Sequence, residues 1–97
     1  MTSTKFYLTL NIRTSDDFHC VGKFFLGSDV NFAENIFRKL KGNKKISRDT
    51  FLNLEFVETK NDLPQNVQVI GCTLDELGEN CKIITKEAFK FLNMEDV

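Results

Sequence analysis

The sequence is poor in the residues that interrupt structure and in those that build metal sites. It contains no tryptophan, one proline, one histidine and five glycines in 97 residues. With so few glycines and prolines there is little room for a linker, and the length matches one ordinary domain. We therefore expect residues 1–97 to form a single domain.

Long apolar runs and an excess of charge of one sign are also absent. No stretch approaches the roughly 20 apolar residues of a membrane-spanning helix, and the N-terminus does not resemble a secretory signal. The 13 basic and 14 acidic side chains give a net charge of −1, so no overall positive field attracts nucleic acid. We expect a cytoplasmic protein without a membrane partner, and nucleic acid is not the favoured partner.

The three cysteines, Cys20, Cys72 and Cys81, are an odd number without a secretory signal, which favours reduced thiols in the cytosol. His19 and Cys20 are adjacent in a predicted strand, so they point to opposite faces and do not form one metal site. Nucleophilic catalysis by a Cys72 thiolate with His19 as its base is a lesser alternative, because nothing in the sequence brings the two residues together. We predict no metal, no cofactor and no catalytic residue.

Alternation of apolar and polar side chains predicts four strands. The clearest covers residues 5–13, where every second residue from Phe6 to Ile12 is apolar. The other predicted strands are residues 18–26, 50–58 and 67–72. Turn-forming residues at 15–17 and 59–66 predict that these strands pair as two hairpins.

A helix is predicted over residues 29–41, because apolar side chains recur there with a 3.6-residue period. Ser28 or Asp29 can cap its start, and Gly42 is expected to end it in a left-handed conformation. This helix and the strand before it carry five of the ten phenylalanines, so we expect the core to form around them.

Near the C-terminus we favour two helices, over residues 74–79 and 86–93, because Gly78 weakens a continuous one. One broken helix over residues 74–93 is the alternative. The resulting order, ββαββα, predicts an α+β fold with a four-stranded, mostly antiparallel sheet and helices on one face. The order of the strands within the sheet is not determined by the sequence.

Two surface features are candidate sites. Six basic residues and no acid lie between positions 38 and 48. These residues either bind an anion or, as we favour, only complement the helix dipole and aid solubility. The residues of the candidate anion-binding patch are Arg38, Lys41, Lys44, Lys45 and Arg48. The second feature is the sheet face away from the helices, where apolar and charged side chains mix as in protein interfaces.

The candidate interface residues on this second face are Tyr7, Val21, Phe25, Phe51, Val57 and Ile70. The alternative is that residues 81–97 fold across the face and close it. The stretches FFLGSDVNFAENIFRKLKG and GCTLDELGENCKIITKEAFKFLN resemble short bacterial proteins with no assigned function. The resemblance spans most of the chain, implies a bacterial cytosolic domain and transfers no site residue.

Three functional hypotheses follow. The first is a non-enzymatic interaction module that binds a second copy of itself, or another protein, through a sheet face or edge. The second is an anion-binding module for nucleic acid or an acidic partner. The third is a small thiol enzyme using Cys72 or Cys81. We favour the first, and a homodimer as its form.

Overall fold

A computed structural model describes residues 3–15 and 17–93, the last three by their backbone only. It contains an antiparallel four-stranded sheet and two helices, so the predicted α+β class and ββαββα order are confirmed. The elements are β1 (Thr4–Arg13), β2 (Phe18–Gly27), α1 (Val30–Lys39), β3 (Leu52–Lys60), β4 (Leu63–Cys72) and α2 (Leu74–Asn93).

The strands lie in the order β2-β1-β3-β4. Each ββα unit supplies one hairpin, and the two hairpins join through their first strands, β1 and β3, at the centre of the sheet. The strands β2 and β4 are therefore the two edges. No helix among the described residues combines the length and the apolar character needed to cross a membrane.

The turn of the second hairpin is shorter than predicted. Lys60 pairs with Leu63, so only Asn61 and Asp62 form the turn, with φ angles of 53° and 69°. Positive φ at both central residues is typical of the type I′ turns that suit hairpins, and Asn and Asp tolerate it. Pro64 accordingly lies within β4, where the edge position tolerates its missing N–H.

Both ends of α1 are defined by specific residues. The Asp29 carboxylate accepts hydrogen bonds from the backbone N–H groups of Asn31 and Phe32, at 2.9 and 3.2 Å, which makes Asp29 rather than Ser28 the cap. The helix ends at Lys39, because Leu40 is extended at φ −71° and ψ 147°. The predicted left-handed stop at Gly42 is therefore wrong.

Gly42 is instead needed for a close approach of two backbones. A Cβ atom at this position would lie 2.7 Å from the carbonyl oxygen of Gly71. Beside it, the N–H of Asn43 donates to the Gly71 carbonyl at 2.8 Å, and the Gly71 N–H donates to the Asn43 carbonyl at 2.7 Å. This bridge attaches the loop after α1 to the free edge of β4.

The prediction of two C-terminal helices is wrong, because α2 is one helix of 20 residues. Its start is a capping box: the Thr73 N–H donates to Glu76 Oε1, and the Glu76 N–H donates to Thr73 Oγ1. Gly78 costs the helix only about 1 kcal/mol. Burial of Asn80 and Ile84 against the rest of the domain outweighs that cost.

The core lies between the sheet and the two helices. One cluster contains Phe6, Leu8, Leu26, Ala33, Ile36, Phe56 and Ile84, and a second contains Leu52, Leu54, Ile70 and Cys72. Phe37 and Leu40 pack against both clusters and so connect them. The assignment of Ile70 to the second sheet face is therefore wrong: Ile70 pairs with Leu54, shares its face and is only 6% exposed.

Candidate functional site

Within the part of the chain that the structure describes, one face of the sheet carries no helix. Ala33 and Ile36 of α1 and Ile84 of α2 belong to the same core cluster as Phe6 and Leu8, so both helices pack on one side. Residues 81–93 belong to α2 and lie on that side, so they do not close the opposite face as the alternative expected. Residues 94–97 lie outside the described part of the chain. We call the opposite side the open face.

An apolar strip crosses the open face from one edge strand to the other. Tyr7 pairs directly with Phe25 on β2 and with Val57 on β3, and Val57 pairs with Val67 on β4. Direct partners on neighbouring strands share a face, so these four side chains stand side by side. We call Phe25, Tyr7, Val57 and Val67 the apolar row.

The ends of the apolar row are the most exposed. Phe25 is 61% exposed and Val67 is 45% exposed, whereas Tyr7 and Val57 are half-buried. The rings of Tyr7 and Phe25 have centroids 5.3 Å apart. The sequence interpretation missed Val67, because β4 has apolar residues at both odd and even positions and the odd-numbered ones were assigned to the core. The only signal that separates them is the register with β3.

The adjacent row of the open face is charged. Thr9 pairs with Lys23 on one side and with Glu55 on the other. The Lys23 ammonium lies 4.3 Å from the centroid of the Tyr7 ring, within range of a cation–π interaction. Glu55 accepts a hydrogen bond from Asn11 Nδ2 at 2.6 Å through Oε1. Charges of opposite sign therefore flank β1, one strand away on each side.

Beyond the charged row the open face carries polar side chains that form hydrogen bonds with one another. Asn11 and Asn53 are 4% and 5% exposed and face each other across β1 and β3. Asn11 Nδ2 donates to Asn53 Oδ1 at 2.8 Å as well as to Glu55. Because these buried amides already have partners, they offer little to a ligand. The part of the open face that is free to bind is the apolar row with its charged neighbours.

The other candidate interface residues lie elsewhere. Val21 is the extra residue of a β-bulge in β2, since Leu10 pairs with Gly22 and Asn11 pairs with Cys20. Phe51 precedes β3, and its carbonyl accepts from the N–H of Arg13 at the far end of β1. That end is about 20 Å from Tyr7, at some 3.3 Å per residue.

Of the six predicted interface residues, the structure thus brings together Tyr7, Phe25 and Val57.

Both edges of the sheet are interrupted. The edge strand β2 has two register shifts against β1, and β4 has one against β3 and contains Pro64. The Asn43–Gly71 bridge also occupies the end of β4. Bulges, proline and covering loops are features that hinder the pairing of an edge with another chain. The face is therefore better suited to association than either edge.

The basic run is divided by its surroundings. Arg38 lies 3.4 Å from Glu34, and the Lys39 ammonium lies 3.0 Å from Glu87, where its hydrogen bond lowers the pKa of that carboxyl. Lys41 and the loop residues Lys44, Lys45 and Arg48 are exposed. Ion pairs of exposed side chains contribute little to stability, but these two pairs reduce the charge available to an anion.

Lys44 and Lys45 line an open groove of about 1060 Å³ between the loop and the start of α2. Two acids, Asp49 and Glu76, line the same groove and oppose an anion there. The capping box has already used the N–H of Glu76, so this end of α2 offers fewer free donors. The anion-binding patch stays a prediction.

Cys72 is a structural thiol. It is buried, its Sγ donates to the Lys41 carbonyl at 3.5 Å, and it accepts from Asn80 Nδ2 at 3.5 Å. Burial raises the pKa of the Cys72 thiol, and the nearby Glu76 carboxylate raises it further. A raised pKa keeps the thiol protonated at neutral pH, which makes it a poor nucleophile.

Neither the Cys72–His19 pair nor a metal site is found in the described residues. His19 is on β2 and Cys72 on β4, at opposite edges of the sheet and about 14 Å apart at the usual strand spacing, so the predicted alternative pair does not form. Within residues 3–15 and 17–93 no three His, Cys, Asp or Glu side chains converge to hold a metal ion. All three cysteines are free thiols.

Comparison with known proteins gives no match: no family model, no curated protein and no solved structure matches the chain. The functional interpretation consequently depends on the open face and its residues. The resemblance to short bacterial proteins stays a prediction.

Proposed function

We propose that this protein is a non-enzymatic interaction module that self-associates through the open face of its sheet. The apolar row is the observation that supports the proposal. A sheet with one face in water usually presents polar side chains there, and a contiguous set of large apolar groups marks an interaction surface. Here the row contains two aromatic rings and runs from edge to edge.

The size of the open face favours a weak, reversible dimer. Four strands about 4.8 Å apart, each about 30 Å long, give a plane of at most roughly 600 Å² per protomer, of which an interface covers only a part. A standard stable interface buries about 800 Å² on each side, and smaller ones are typical of transient association. We therefore expect a dissociation constant in the micromolar range rather than the nanomolar range.

A reducing compartment fits the same proposal. Cys20 is exposed and unpaired, and such a thiol persists where disulfides do not form. We infer a cytoplasmic protein of bacterial origin, in agreement with the resemblance of its two helical stretches. Anion binding by Lys44 and Lys45 and thiol chemistry at Cys72 are alternatives that the geometry favours less, because acids line the groove and Cys72 is buried.

A charge placed in the apolar row tests the proposal. We expect the wild-type protein to dimerise in light-scattering measurements between about 1 and 500 µM, and Phe25→Glu to weaken the dimer at least tenfold, because a desolvated carboxylate is costly. The matched control is Phe89→Glu on α2, since Phe89 is similarly exposed, at 67% against 61%.

Two results would contradict self-association through the open face. One is a wild-type protein that stays monomeric over the whole concentration range. The other is a Phe25→Glu dimer as strong as wild type while the Phe89→Glu dimer is weakened, which would move the interface to the helical side.

A further inference from the structure

We propose that the dimer has its two-fold axis parallel to β1, so that Lys23 of each copy faces Glu55 of the other. This inference depends on the proposed function, since it describes the pairing of the same open face. It adds a specific orientation of the two copies and a specific electrostatic contact between them.

The pairing follows from the positions of the two charges. Lys23 and Glu55 are both direct partners of Thr9, so each lies one strand from β1, on opposite sides of it. A rotation of 180° about an axis above β1 exchanges the β2 side with the β3 side and keeps each residue in its row. Lys23 of one copy then lies over Glu55 of the other, twice per dimer.

The same rotation joins the apolar rows. Tyr7 meets its own counterpart on the axis, Phe25 lies over Val57 of the second copy, and Val67 on β4 lies beyond the overlap of the two sheets. Sheets that pack face to face cross at about 30°, so the axis bisects the directions of the two β1 strands and the rows stay matched near the point where these strands cross. Because the interacting residues all lie on β1 or on its two neighbours, this axis keeps the contacts where the crossing angle matters least.

Both charges are available for a contact between copies. Lys23 is exposed and its ammonium is held over the Tyr7 ring on the open face. Glu55 uses Oε1 for Asn11, and no hydrogen bond among the described residues involves Oε2. An axis perpendicular to the strands through the apolar row would instead place Glu55 over Thr59, beside Lys5, rather than over Lys23. Complementary charge of this kind selects one orientation among several.

Reciprocal charge reversal tests the pairing. In a Lys23→Glu dimer two carboxylates face each other at both contacts, and in a Glu55→Lys dimer two ammonium groups do so. We expect each variant alone to dimerise about tenfold or more weakly than wild type. An equimolar mixture restores both opposite-charge contacts, so we expect a heterodimer within about threefold of the wild-type dissociation constant, measured by native mass spectrometry and light scattering.

The control pair is Glu79→Lys and Lys82→Glu, two exposed positions on α2, for which neither the single variants nor their mixture should differ from wild type. Glu55→Gln is a milder variant that keeps an oxygen for Asn11 and removes only the charge. It should weaken the dimer and reduce its salt dependence. Circular dichroism confirms that each variant is folded.

The outcomes separate the two proposals. If Phe25→Glu dissociates the dimer but the mixture of Lys23→Glu and Glu55→Lys is no tighter than its components, the open face is the interface and this axis is wrong. If the single reversals leave the dimer unchanged, the pairing is also wrong. A wild-type monomer at every concentration overturns both the pairing and the proposed function.

Discussion

The close approach at Gly42 leads to a quantitative prediction. In Gly42→Ala the new methyl group would lie 2.7 Å from the Gly71 carbonyl oxygen and 3.3 Å from the side chain of Ile70. The oxygen belongs to the backbone of a sheet strand and cannot rotate away. The loop after α1 must therefore move, and the two hydrogen bonds of the Asn43–Gly71 bridge lengthen or break.

The expected loss follows from these contacts. Forcing an extra methyl group into a packed site costs about 1–3 kcal/mol, and each backbone hydrogen bond lost costs about 0.5–1.5 kcal/mol. We expect Gly42→Ala to lower the free energy of unfolding by at least 2 kcal/mol, of about 5–15 kcal/mol in total. For a domain of this size the melting temperature should fall by roughly 10 °C or more.

The chain supplies its own control, because the same substitution at Gly78 should have the opposite sign. A Cβ atom there meets nothing within 4 Å, and Gly78 lies within α2. Alanine is the better helix former by about 1 kcal/mol, so Gly78→Ala should stabilise the protein. Urea denaturation of both variants measures the difference. A Gly42→Ala protein within 0.5 kcal/mol of wild type would refute the close approach.

Two further predictions concern buried polar groups. Asn80→Ala removes the side chain that accepts from the Lys41 N–H at 2.7 Å and donates to its carbonyl at 2.8 Å. Denaturation should show that the free energy of unfolding falls by about 2–3 kcal/mol, against less than about 0.5 kcal/mol for the control Glu79→Ala at an exposed position. Equal losses in the two variants would exclude these two hydrogen bonds as the cause. Under native conditions Cys20 should be alkylated rapidly and Cys72 only through unfolding, since burial raises the pKa of Cys72. Because the pKa of Cys72 is raised in the folded protein, the contribution of its protonated thiol to the free energy of unfolding is complete below the ordinary thiol pKa of about 8.5 and falls as pH rises beyond it. Cys72→Ala should remove this fall in stability at high pH. A variant with the same pH dependence as wild type would contradict the prediction.

Those parts of the fold that depend on local chemistry could be predicted from the sequence. The alternation in β1 predicted its two faces, because Phe6 and Leu8 are buried in the core and Leu10 packs against it, although Ile12 at the end of the strand is exposed. The apolar face of α1 and a cap at Ser28 or Asp29 were also predictable, since capping needs only the neighbouring N–H groups. Tyr7, Phe25 and Val57 were identified for the same reason: each follows from the parity of its own strand.

The remainder depends on contacts between distant residues. The strand order requires the pairing of β1 with β3, and no local pattern encodes it. The face of Ile70 depends on the register of β4, in which both parities are apolar. Gly42 was correctly singled out as a special position, but its cause is the backbone of Gly71 rather than the end of a helix. The destabilising effect of Gly78 on a continuous helix was overestimated, because the burial of Asn80 stabilises α2.

The strand order also has a consequence for how the chain reaches its fold. Each hairpin closes a short loop, whereas the central ladder joins Ile12 to Leu52 and Thr4 to Lys60. Pairing such distant residues costs loop-closure entropy before any favourable contact forms. The two ββα units should therefore form first, and their docking should limit the folding rate. Until they dock, β1 and β3 each present an unpaired central edge. At high concentration, β1 of one chain can then pair with β3 of another, so exchange of whole ββα units between chains is the characteristic misfolding route of this topology.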